Sequence, residues 1–218
     1  MKRILRLIGL SITILTVGLL GYGGLGYWDA VHESDNYIAT AEALIASEQG
    51  PQDLGPERLK QLIMVQDPAF QEHSGIDLST AGAGLTTVTQ SLSKRLGFDS
   101  FRPGIGKVRQ TGFALGLESK LSKDQILALF LKTVEMGNGP NGWMTGFFTA
   151  SAAIYSRPPS RLTDNEFLRL VAVMISPAQY DLQKDDNALN KRVNRIMRLV
   201  AGTCSPAGLQ DVWLDGCA

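Results

Sequence analysis

The chain has two cysteines, two histidines, 7% aromatic residues and no net formal charge over 218 residues. Each scarcity closes off a class of function. With acidic and basic side chains balanced and no basic run interleaved with aromatics, both the long-range field and the stacking surface of a nucleic-acid-binding protein are missing. Two cysteines with no histidine beside them are too few for a metal site. No internal repeat or low-complexity tract occurs, which argues against a solenoid. No series of alternating apolar and polar residues marks out a sheet. The length suits one substantial domain with its own core, and a second full domain would be crowded.

The N-terminus reads Met1, Lys2, Arg3, Ile4, Leu5, Arg6 and then carries no charge from Leu7 through Trp28, until Asp29. A helix crossing the hydrocarbon core needs roughly 20 apolar residues. Residues 1–28 therefore read as a transmembrane anchor. Lys2, Arg3 and Arg6 hold the N-terminus in the cytoplasm and place the rest on the extracytoplasmic side of the cytoplasmic membrane. Tyr22, Tyr27 and Trp28 would sit at the far interface. A cleaved signal peptide is the rival reading, with Gly21, Tyr22, Gly23 as a small-x-small cleavage site, but the apolar run is long for one. Both readings export the folded part. In that oxidising setting Cys204 and Cys217 read as a disulfide pinning a tail of residues 204–218, with two unpaired thiols as the alternative.

Between the two ends the pattern is helical. Helix-favouring or amphipathic stretches cover Asn36 to Ser47, Pro56 to Gln66, Thr87 to Leu96, Lys107 to Lys120, Lys123 to Met136, Thr145 to Tyr155, Asp164 to Ile175 and Asn187 to Val200. Ser122 with Gln125, and Thr163 with Glu166, have the spacing of capping boxes. The segments 75–84, 98–106 and 137–142 are Gly-containing connections, where backbone can approach a ligand closely. The expected fold is mainly α, a helical domain over residues 29–203 preceded by one transmembrane helix.

Four stretches carry chemistry. The first contains Gln66, Asp67, Phe70, His73, Gly75 and Asp77. The second runs Gly84, Leu85, Thr86, Thr87, Val88, Thr89, Gln90, Ser91, Leu92, Ser93, Lys94. The third contains Gly106, Lys107 and Gln110, then Leu117 and Glu118, then Ser122, Lys123, Ile126 and Leu127. The fourth spans Phe130 to Gly142. In order and spacing, from about Ile63 to Leu182, they resemble the glycosyltransferase family 51 domain. That is the peptidoglycan glycosyltransferase of monofunctional enzymes and of bifunctional penicillin-binding proteins. The family's first motif, E-D-x-x-F-x-x-H-x-G-x-D, is matched except that Gln66 stands at the Glu. In the third motif Gln110 stands at the second functional Glu and Gly106 at the Arg. In the second, Leu85 and Ser91 depart from the pattern.

The resemblance implies a lysozyme-like helical fold and a defined reaction. The 4-hydroxyl of one lipid-linked disaccharide joins the anomeric carbon of a growing glycan, and a polyprenyl diphosphate leaves. A base on the acceptor and positive charge on the leaving group are the two demands. By resemblance Gln66 and Gln110 occupy the catalytic positions. Asp67, Phe70, His73, Thr86, Thr87, Gln90, Lys94, Lys107 and Glu118 are substrate-binding candidates. No cofactor is expected, except a divalent cation such as Mg if the chain is active. The implied partners are a lipid-linked peptidoglycan precursor or glycan strand, the membrane, and a cell-wall synthesis protein, with no nucleic acid.

An amide cannot act as a base. The leading expectation is therefore a family-like protein impaired in catalysis that binds precursor or a partner. The alternatives are an active enzyme that recruits Glu72 or Glu135 as a replacement acid, a non-catalytic helical scaffold and, last, a hydrolase. Taken by themselves, His73, Lys94, Lys107, Glu72 and Glu135 read as structural or solvated side chains. Since the chain stops at Ala218, no transpeptidase domain is expected.

Overall fold

The structure is a computed structural model and describes residues 2–218. Met1, the first residue of the expected anchor, lies outside the described residues. The chain is mainly helical: α1 (Lys2–His32), α2 (Ser34–Ala46), α3 (Pro56–Gln66), α4 (Val88–Leu96), α5 (Gly106–Lys120), α6 (Lys123–Thr133), α7 (Phe147–Tyr155), α8 (Asp164–Val173) and α9 (Asn187–Val200), with one antiparallel hairpin, β1 (Glu135–Gly139) and β2 (Gly142–Thr145).

Helix α1 contains a stretch, Arg6–His32, long and apolar enough to cross a membrane. It runs unbroken past residue 28 and packs along α5. Glycines make that approach possible. A Cβ at Gly112 would stand 1.9 Å from the Gly23 carbonyl oxygen, and one at Gly26 would stand 2.1 Å from that of Arg109. Arg109 also pairs with Asp29 at 2.7 Å, and the Tyr27 hydroxyl lies 3.3 Å from that of Ser119. The same small-residue device lets helices approach inside membranes, because backbone contact replaces side-chain interdigitation.

Helix α6 is the centre of the domain. Ile126 through Leu131 are all buried, so the helix is apolar all round and packs against α2, α4 and α7. Both capping boxes form. Ser122 accepts from the Gln125 N–H while Gln125 accepts from the Ser122 N–H, and Thr163 and Glu166 do the same. Two helix boundaries beside the hairpin differ from the sequence reading. The helix expected to reach Met136 ends at Thr133, and the one expected from Thr145 starts at Phe147, because the chain between forms the hairpin. Gly137 explains why the pattern misled. It sits at φ +80°, closed to most side chains, and a Cβ there would stand 2.4 Å from the Pro177 carbonyl oxygen. A tertiary contact, invisible to local periodicity, decides that boundary.

Cys204 and Cys217 form a disulfide with Cα atoms 5.3 Å apart. The tail it closes folds back on the domain. The Gly82 N–H donates to the Gly208 carbonyl at 2.9 Å and the Gly84 N–H to that of Leu209 at 2.8 Å.

Candidate functional site

The loop between α3 and α4 is held by a network centred on Asp67, which is fully buried. Its carboxylate accepts from His73 Nε2 at 2.9 and 3.0 Å and from the Val88 N–H at the start of α4 at 2.9 Å. His73 Nδ1 accepts from the Gly75 N–H at 3.0 Å, so Nε2 carries the proton. Burial pushes the Asp67 carboxyl above the usual range, against the pull of His73 and the Val88 N–H. Thr87 extends the network: its hydroxyl donates to the Gly75 carbonyl at 2.8 Å and accepts from the Gln90 N–H at 3.1 Å, capping α4. Asp77 accepts from the N–H groups of Ser79 and Thr80. Although burial alone would raise its pKa, those bonds and the hydroxyls hold it at about 2.

A second cluster sits beside the first. Lys123 Nζ lies 2.8 Å from the Glu118 carboxylate, donates to the His73 carbonyl at 2.6 Å and stands 4.4 Å over the Phe70 ring. Thr89 donates to Glu118 at 2.5 Å. Four of the substrate-binding candidates, Asp67, Phe70, His73 and Thr87, are therefore bonded to one another or to the loop, Glu118 is linked to the loop through Lys123, and Asp67 and Phe70 are fully buried. These contacts hold the loop in place.

Gln66 and Gln110, the two positions expected from the resemblance to be catalytic, occupy different surroundings. Gln66, at the C-terminal end of α3, lines a cavity of about 430 Å³. Its Nε2 reaches the Val171 carbonyl only at 3.4 Å, the outer limit of a hydrogen bond. Gln110 is 1% exposed, and its Nε2 donates to the Gln90 carbonyl at 2.7 Å, tying α5 to α4. Gln110 Oε1 and Gln90 Oε1 are both buried without partners. Gln110 does not line the cavity.

The cavity is walled by Val65 and Gln66, by the 82–86 loop, by Ile175 and Arg192, and by Gln210 and Val212 of the tail. Thr86 lines it, and Lys107 Nζ donates to the Thr86 hydroxyl at 3.2 Å. Lys107 also lines a second, apolar groove of about 530 Å³ between α1 and α5, with Leu19, Leu20 and Leu115. Lys94 is exposed on α4 with its Nζ 5.6 Å over the Phe101 ring; partial burial, then repulsion by Arg95 and Lys107, lowers its pKa. Neither acid proposed as a replacement lines the cavity. Glu72 is exposed, and Glu135 accepts from Trp143 Nε1 across the hairpin. A larger cavity of about 650 Å³, bordered by Trp28, Glu33, Phe98 and Arg109, holds none of the first-motif residues, so volume does not select the site.

The transglycosylase family model matches residues 39–201, three quarters of the chain. The chain belongs to the transglycosylase family. Over 164 residues it is 32% identical to penicillin-binding protein 1B of Buchnera aphidicola, covering 69% of this chain and 22% of that protein. It is 26% identical over 179 residues to the biosynthetic peptidoglycan transglycosylase of Thiobacillus denitrificans, covering 76% and 75% respectively. It is 29% identical over 157 residues to penicillin-binding protein 4 of Bacillus subtilis, covering 66% and 24%. The chain thus spans about a fifth to a quarter of the two penicillin-binding relatives and three quarters of the third. The match extends past the four motif stretches to include α9.

Arg192, Gln210 and Val212 were not singled out by sequence. A signal for Arg192 existed. On α9 the buried face is Leu189, Val193 and Ile196, and Arg192 falls on that face, where a charge is out of place. The tail residues carried no such signal.

Proposed function

We propose that this is a membrane-anchored transglycosylase-family protein that binds lipid-linked peptidoglycan precursor, or a cell-wall synthesis partner, without polymerising glycan. The observation that carries this reading is that the cavity at the family's catalytic position is lined by Gln66 and by no carboxylate. Losing a general base removes typically about 10²- to 10⁴-fold in rate. No other acid among the described residues of that cavity can take its place.

Retained binding is supported by the groove beside the anchor. An isoprenoid chain along Leu19, Leu20 and Leu115 would bring its charged end to Lys107, which touches Thr86 at the cavity. The domain then lies on the extracytoplasmic side. The experiment is titration of the full chain in nanodiscs with fluorescent lipid-linked disaccharide. Saturable binding that weakens at least fivefold in Leu20→Glu is expected. Binding no tighter than to empty nanodiscs would defeat the precursor-binding reading.

A further inference from the structure

Arg192 is 5% exposed, and its Nε and Nη1 are both buried without a hydrogen-bond partner. Burial lowers its pKa to about 10, so the guanidinium still carries its charge at neutral pH. The carboxylates that act on it are engaged elsewhere. Asp211 accepts from the N–H groups of Ala207, Asp215 and Gly216 at 2.6 to 2.9 Å, and Asp215 pairs with Arg195 at 2.6 Å. Tyr180 adds a neutral phenol, and Arg195 adds repulsion. A desolvated cation with no contact counter-ion is costly, because nothing replaces the water it lost.

Arg192 lines the cavity that also holds Gln66, Thr86 and Gln210. The family pattern has a carboxylate at position 66, and such a group would supply negative charge to this cavity. The amide removes that charge and adds N–H donors. Thr86 already accepts from Lys107, so its own hydroxyl hydrogen is free to donate. The result is a space with a buried cation, a second cation bonded to the wall residue Thr86, amide and hydroxyl donors, and no acid.

From this arrangement we propose that the Gln66 cavity binds a small oxyanion, phosphate or carboxylate, with Arg192 as its counter-ion and Gln66, Thr86 and Gln210 as neutral donors. The charge-assisted bond from the guanidinium supplies the attraction, and the neutral donors satisfy the remaining oxygens. Exchange of acid for amide at one position converts a catalytic pocket into an anion receptor. The proposal stands whether or not lipid-linked sugar binds.

Inorganic phosphate and acetate are each titrated by calorimetry into the full chain in detergent micelles at pH 7.5 and constant ionic strength. Saturable binding of at least one is expected. Phosphate alone assigns a tetrahedral ligand, and acetate alone a planar one. Gln66→Glu should weaken that binding at least tenfold, because the new carboxylate competes for Arg192, while the thermal midpoint stays near that of the unmodified chain. Arg192→Gln should abolish it. If Arg192→Gln does not fold, Gln66→Glu decides. No saturable binding of either ion, or unchanged affinity in Gln66→Glu, overturns the proposal.

Discussion

Restoring glutamate at the two amide positions should have unequal costs, and Gln110→Glu is the sharper case. Its side chain is 1% exposed and donates to the Gln90 carbonyl at 2.7 Å. Glutamate places an acceptor where a donor stood, losing a bond of about 1 kcal/mol and facing two oxygens at each other. Keeping the acid neutral instead costs about 1.4 kcal/mol per pH unit above its ordinary pKa of about 4.3, or roughly 4 kcal/mol at pH 7.5. This agrees with the roughly 3–5 kcal/mol of an uncompensated buried charge. The sign follows from a folded pKa raised above the unfolded one. The variant's deficit is small below the unfolded pKa and grows as pH rises toward the folded value. Urea unfolding of the full chain in micelles, followed by tryptophan fluorescence, should give a loss of about 4 kcal/mol at pH 7.5 and about 1 kcal/mol at pH 5. Gln110→Met should lose about 1–2 kcal/mol at both pH values. Gln66→Glu, on a cavity wall, should lose under about 1 kcal/mol. A Gln110→Glu protein within about 0.5 kcal/mol of the original at pH 7.5 would refute the burial argument.

Four further outcomes follow from the contacts. Gly112→Ala should cost about 1–3 kcal/mol in urea unfolding because its Cβ meets the Gly23 backbone, whereas Gly24→Ala, with nothing within 4 Å, should be neutral. Replacing Cys204 and Cys217 by serine opens a crosslink spanning 13 residues and should lower stability by about 3 kcal/mol. Amide exchange at Gly82 and Gly84 should accelerate in the same protein, since the tail supplies their acceptors. Asp77, held at about 2, contributes stability that is complete above the ordinary aspartate pKa of about 3.9 and is lost as pH falls through about 2. Asp77→Asn should flatten acid unfolding over that window.

Much of the helical framework could be read from residues, because periodicity and capping are local. Ser122 with Gln125 and Thr163 with Glu166 specify their helix starts without help from elsewhere. The hairpin was missed because Gly137 is fixed by the distant Pro177 carbonyl. The long apolar helix α1 was legible as an apolar run. Its seat on α5 was not, since Gly23, Gly26 and Gly112 acquire meaning only when the two backbones meet. At the site, motif register located Gln66 and Gln110 but could not say that one faces a cavity while the other ties α4 to α5. Nor could it separate residues that brace the loop, such as Asp67 and His73, from those that line the cavity, such as Thr86. Both kinds recur in a motif pattern, and only contacts distinguish them.

The most direct measurement is glycan polymerisation by the purified full chain, supplied with lipid-linked disaccharide and Mg²⁺ and resolved by gel electrophoresis. Without a carboxylate in the Gln66 cavity, no polymer should form above the no-enzyme background. Sustained chain growth by the unaltered protein would contradict that reading.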